Sequence, residues 1–330
     1  MNHNQKILLA GIIIISLLVT TFIVYSSIST SSTKSSDKLK IVTTFYPLTY
    51  ITQQIGGDYV EVTQLIPNNN EIHNWEPTVS HIRATEDADI IFYNGAGADS
   101  WMEDEILPAL SNSKKRLNVE TTEDLTLIAN KEDKHNDDHD DDDDDDDHDT
   151  HDHGLYDPHT WVSPYMAKQQ AEIIYNILIS ADPQHEEYYT QRWHTLERQL
   201  EQLDATYRNS LSNTHSNVIF VSHGAFGYLA DQYGFTQHSV IGVSADEQPS
   251  AQTIIKLVEE MKEYKNYVLY VDPVYASNYV QTIQKEVQVQ TGQNVTVLKL
   301  YLMLGPMDGL DYLEQMQTNL SNLQTGLAAK

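Results

Sequence analysis

DPQHEEYYTQRWHTLERQLEQLDATYRNSL, residues 182–211, decides how the rest of the chain is read. Asp182 is a good N-cap and Pro183 a good first-turn residue. Trp193, Leu196, Leu200, Leu203, Tyr207 and Leu211 then recur at spacings of three and four, which marks one apolar helix face. The spacing predicts a helix of about 28 residues, roughly 40 Å long. That is long for a crossover inside one compact domain, so the stretch reads as a rigid beam, within residues 182–213, joining two lobes.

Working outward, β-branched runs alternate with helix-length segments on both sides. LKIVTTF, YVEVTQLI, ADIIFYN and DLTLIAN come before the beam, and SNVIFVSH, FTQHSVIG, NYVLYVD and QNVTVLKL after it. The predicted fold class is α/β: two lobes, each a small four-stranded, largely parallel sheet flanked by helices. The expected organisation is an N-terminal segment over 1–36, a first lobe over 37–181, the helix over 182–213 and a second lobe over 214–330. No internal repeat goes beyond this pairing.

The formal charge of −28 is unevenly spread. Residues 131–153 hold fourteen Asp and Glu against Lys131 and Lys134, so −12 of the total lies there and −16 in the rest. Such a surface repels nucleic acid and favours cations. The 131–153 segment contains no apolar residue and is expected to be a disordered loop. With no cysteine, disulfide scaffolds, thiolate zinc sites and cysteine nucleophiles are excluded, and a transition-metal site must use histidine and carboxylate.

Ile7–Tyr25 is nineteen residues without a charge, preceded by Lys6 and followed by a Ser/Thr-rich linker. Its length suits a membrane-spanning anchor, with a cleaved signal peptide as the alternative. Either places the binding domain outside the cytoplasm, and the anchor would attach it at the cell membrane by the N-terminal helix. The absence of a lipobox cysteine implies attachment by peptide.

Three histidines stand at the ends of predicted strands: His73 in EIHNWEPT, His159 in DPHTWVSP and His223 in VSHGAF. The carboxyl ends of strands form the ligand crevice of open α/β sheets, so these positions can converge. Each alone is as readily a helix cap or a satisfied loop histidine. That ordinary reading is assigned to His81, His185, His194, His215 and His238.

The combination HNWEPT, DPHTWVSP, DPQHEEYYTQRWHTLERQLEQLD, VSHGAFGYLADQYGF and DEQPSAQTIIKLVEEMKEYK, in that order, resembles the extracytoplasmic metal-binding proteins of zinc and manganese ABC importers. The resemblance covers about residues 38–325. It implies that His73, His159 and His223 are metal ligands in a cleft between the lobes. The cargo it implies is Zn(II), delivered to a permease with a cytoplasmic ATPase by a monomeric, non-enzymatic protein. Related proteins place an acidic ligand after the final strand, where this chain has Met303 or Leu304. Asp308, Asp311 or water remain as alternatives, and both aspartates are equally readable as helix-capping residues.

Three imidazoles favour zinc over manganese, which prefers oxygen donors, although a Mn(II)-binding member of the same family is the alternative. The zinc-type branch commonly carries a histidine-rich acidic loop just before DPHxW. Here eight aspartates, 140–147, with His135, His139, His148, His151 and His153 hold that position. Weak, fast-exchanging collection of metal is one reading of that loop and a solubilising spacer the other. A zinc hydrolase is the rival class, with Glu71 or Glu76 as the only local candidate base, but HExxH and G-x-S-x-G are absent.

Overall fold

The computed structural model describes residues 38–111, 114–130, 155–243, 249–275 and 279–328. The stretch Ile7–Tyr25 and the acidic segment 131–153 lie outside them. Among the described residues no helix is long and apolar enough to cross a membrane.

Residues Leu39–Lys330 form one compact unit. Its first sheet contains β1 (Leu39–Thr43), β2 (Val60–Gln64), β3 (Ile90–Tyr93) and β4 (Leu117–Glu120) in the order β2-β1-β3-β4. The second contains β5 (Val218–His223), β6 (Thr236–Ile241), β7 (Val268–Val271) and β8 (Thr296–Lys299) in the order β6-β5-β7-β8. Every pairing in both sheets is parallel. In each sheet the order reverses beside the first strand of the set, so a crevice opens at the carboxyl ends there.

Seven of the eight anticipated strands are present. The exception is DLTLIAN: the fourth strand is instead Leu117–Glu120, paired with β3 from Ile90↔Leu117 to Tyr93↔Glu120. Residues 124–130 run outside the sheet and end in an isolated antiparallel bridge, Ala129↔Tyr156.

The helices that matter for the site are α1 (Tyr46–Gly56), α2 (Val79–Glu86), α3 (Pro164–Ala181), α4 (Glu186–Leu211), α5 (Gly227–Tyr233) and, at the C-terminus, Tyr312–Gly326. The long helix is α4, 26 residues, and its six anticipated apolar positions are all buried. Asp182 does not cap it. One 3-10 turn, Pro183–His185, intervenes, and the Asp182 carboxylate instead accepts from His185 Nδ1 at 2.6 Å and from the Tyr189 hydroxyl at 2.7 Å.

Strand β5 explains how two sheets share one interior. Side chains alternate along a strand, so Ile219 and Val221 face one way and Val218 and Phe220 the other. Ile219 and Val221 join a large core that includes β1, β3, α3, α4 and the C-terminal helix. Val218 and Phe220 join a smaller core of the second lobe with Leu257, Val258, Met261, Leu269 and Ile283. The larger core therefore runs across the junction of the lobes, and α4 is embedded in it along one face.

Candidate metal centre

His159 lies in the segment that leads into α3. Asn94, just past β3, donates through Nδ2 to the Pro158 carbonyl at 3.0 Å, and Gln170 of α3 donates to Asn94 Oδ1 at 3.0 Å. Trp161, fully buried, anchors the other side by donating Nε1–H to the Leu302 carbonyl of the second lobe at 2.8 Å. His159 Nδ1 stands 2.8 Å from Asp157 Oδ1. A carboxylate only accepts, so the proton is on Nδ1 and Nε2 presents a lone pair. This is the carboxylate–histidine arrangement that orients a ligand ring and fixes its tautomer.

His73 sits in the loop after β2. The Glu71 carboxylate shapes that loop by accepting the backbone N–H groups of His73 at 2.6 Å and Asn74 at 2.8 Å. Buried Ile72 pins it to the core, and Asn69 N–H donates to the Leu304 carbonyl of the second lobe at 2.9 Å.

His223 is the last residue of β5 and is buried. Its Nε2 is 2.8 Å from the Val243 carbonyl, which fixes the proton on Nε2. Nδ1 is then a buried acceptor with no hydrogen-bond partner among the described residues. Such an atom costs about 1–3 kcal/mol if left unpaired. A metal ion would use it.

The three rings converge. One ligand atom from each of His73, His159 and His223 lies within 4.8 Å of the others. His73 Nε2 and His159 Nε2 are 3.2 Å apart, close to the separation of about 3.3 Å expected for two nitrogens at about 2.0–2.1 Å from a tetrahedral zinc. Burial, then the neighbouring His159 and His223, hold His73 well below the usual imidazole pKa. Burial, then His159, push His223 down to about 3, against a smaller opposing effect of the Val243 carbonyl. Both rings are therefore neutral at pH 7, the form a metal requires.

Met303 and Leu304, which stand where the resemblance would place an acidic ligand and offer no such donor, are buried in the core. The anticipated carboxylates stand elsewhere. Asp308 forms, with Gly309, the two-residue turn closed by the Met307↔Leu310 bridge, and its carboxylate is held by Lys299 and the Tyr301 hydroxyl. Asp311 is the N-cap of the C-terminal helix in a capping box with Glu314. The hydrolase reading also loses Glu71, whose two oxygens are committed to backbone donors. Among the described residues no carboxylate joins the histidine group. His81 serves in the capping box of α2, His185 binds Asp182, His194 binds Glu197 and His238 binds Glu260. Asp157 and the Val243 carbonyl were not evident from the sequence, though the spacing D-P-H, with a carboxylate two residues before a candidate ligand, is a usable signal for the first.

Residues 41–326 match the family described as the zinc-uptake complex component A, periplasmic. The chain belongs to this family. Zinc-uptake component A proteins are substrate-binding transport proteins of ABC systems and not enzymes. The high-affinity zinc uptake system protein ZnuA of Bacillus subtilis is 33% identical over 321 residues, 95% of this chain and 97% of that one. The zinc-binding lipoprotein AdcA of Streptococcus pneumoniae is 30% identical over 94% of this chain, which spans 60% of its length. The crystal structure of the Zn(II)-bound ZnuA-like domain of S. pneumoniae AdcA superposes with a TM-score of 0.70 at 28% identity, over 88% of this chain and 99% of that one.

Proposed function

We propose that the chain captures Zn(II) outside the cytoplasm on His73, His159 and His223 and delivers it to an ABC permease. In this reading residues 37–181 supply His73 and His159, residues 214–330 supply His223, and 182–213 lie between. The protein acts as a monomer held at the cell membrane through its N-terminal segment. The observation that carries the reading is the donor set: Nε2 of His159 and Nδ1 of His223 are deprotonated by the hydrogen bonds their opposite nitrogens make, His73 Nε2 stands 3.2 Å from His159 Nε2, and one ligand atom of each ring lies within 4.8 Å of the others. With the His159 Nε2 lone pair as acceptor, His73 Nε2 carries the proton between the two rings, so metal capture requires a tautomer change of His73. Nitrogen donors favour Zn(II) over Mn(II).

Competitive titration of Zn(II) and Mn(II) against a strong chelator tests this. One tight, zinc-preferring equivalent is expected, and it should be lost in His159→Ala. Equal affinity for the two metals, or wild-type affinity in His159→Ala, would reject the assignment.

A further inference from the structure

Tyr275 stands on the segment leaving β7, and it touches both sides of the centre. Its ring centroid lies 4.9 Å from that of His223, at an interplanar angle of 55°. Its hydroxyl donates to Glu71 Oε1 at 3.3 Å. That carboxylate is the one that holds the backbone of His73 and Asn74. One side chain of the second lobe thus packs on the ligand of its own lobe and hydrogen-bonds to the group that shapes the ligand loop of the other.

The segment bearing Tyr275 is itself fixed. Asp272 is buried and accepts the backbone N–H of Val274 at 2.7 Å and of Leu302 at 2.6 Å. Its own N–H donates at 3.3 Å to Ser222 Oγ, next to His223. The Asp272 carboxylate therefore ties the exits of β7 and β8 together and gives Tyr275 a firm base.

We infer that Tyr275 is a clasp, a positioning residue that sets how fast zinc leaves by tying the Glu71–His73 loop to the His223 side of the cleft. The inference rests on the three-histidine reading of the centre. For the ion to depart, the His73 loop must separate from His223, and the Tyr275–Glu71 bond lies across that separation. Entry crosses the same separation in the reverse direction, so the clasp slows association and dissociation alike and leaves the affinity unchanged.

Stopped-flow release of zinc to an excess of fluorescent chelator, with the full chain, tests this on Tyr275→Phe, Glu71→Gln and the double variant. Tyr275→Phe keeps the ring on His223 and removes one oxygen. It should raise the dissociation rate about three- to tenfold, the range of a single partly exposed hydrogen bond to a carboxylate. The association rate should rise by a similar factor, with the affinity and the one-zinc stoichiometry at wild-type values. Glu71→Gln should add less in the Tyr275→Phe background than in the wild type, because the two changes remove one shared bond. A Tyr275→Phe dissociation rate equal to wild type, or fully multiplicative effects of the two changes, overturns the clasp. His159→Ala run alongside separates the two failures: wild-type binding there rejects the metal centre itself.

Discussion

At the scale of single residues, the protonation of the centre sets its pH behaviour. His73 and His223 have lowered pKa values in the folded protein, chiefly from burial. For a depressed histidine the fold refuses protons that the unfolded chain accepts. Their effect on stability is therefore absent above about pH 6.5 and becomes destabilising as pH falls below it, for His223 down to about 3. The same sign governs metal capture. Two unperturbed histidines would together release roughly 1.5 protons on binding zinc at pH 6, whereas His73 and His223 should release almost none. Calorimetric titration at pH 6 in two buffers of different ionisation enthalpy measures this directly, and release of more than one proton from the pair would contradict it. A second residue-scale effect belongs to Asp157. Its Oδ2 occupies the space that a β-carbon on Gly227 would need. Gly227→Ala, ordinarily favourable in a helix, should push that carboxylate off His159 and weaken zinc binding about 10- to 100-fold, as loss of the carboxylate itself does. Zinc affinity of Gly227→Ala and Asp157→Ala should fall alike. His223 was legible as a candidate from its place at the end of a strand, and His73 and His159 from the motifs HNWEPT and DPHTWVSP that carry the family resemblance. The Val243 carbonyl was not, because every residue has a carbonyl and only the fold says which one is near.

At the scale of elements, most of the architecture was readable from period and punctuation, and the one lost strand shows why. DLTLIAN has the stronger β pattern, but Leu117–Glu120 is the segment whose backbone lies beside β3. An edge strand buries little, so LNVE carries a weak apolar signal. Residues 124–130 have another task. Asp157 N–H donates to the Ile128 carbonyl at 2.8 Å, and Asn130 N–H to Leu155 at 2.9 Å. Tyr228 of α5 accepts Ile128 N–H at 3.2 Å and donates to the Asp157 carbonyl at 2.7 Å. The two ends of the acidic segment are thus held side by side, and their fixation continues to Asp157 and His159. Replacing residues 131–153 with a short Gly/Ser linker should therefore leave one tight zinc site and an unchanged unfolding midpoint. Loss of tight zinc binding in that variant would move the receptor site into the aspartate–histidine segment.

At the scale of the whole molecule, the question is how much of it moves when zinc binds. The larger core contains residues of both sheets, among them Ile41, Phe92, Val221 and Tyr270, with α4 along its side. Trp161 crosses the junction to Leu302, and Tyr312 returns to the Trp161 carbonyl at 2.5 Å. Gly305 closes against Asn68 and Asn69 so tightly that a β-carbon would overlap them. Rigid-body opening would have to expose part of this interior, and each 100 Å² of apolar surface returned to water costs about 2.5 kcal/mol. Single-histidine displacements at the cleft rim cost far less, since they break only a few hydrogen bonds. Zinc binding should accordingly leave the radius of gyration in solution unchanged. Its effect on backbone hydrogen exchange should be confined to the loops of His73, His223 and Tyr275, with α4 and β5 to Val221 protected equally in both states. A zinc-dependent change in exchange along α4, or in the radius of gyration, would show that the lobes hinge and that the shared core is broken and remade on each transport cycle.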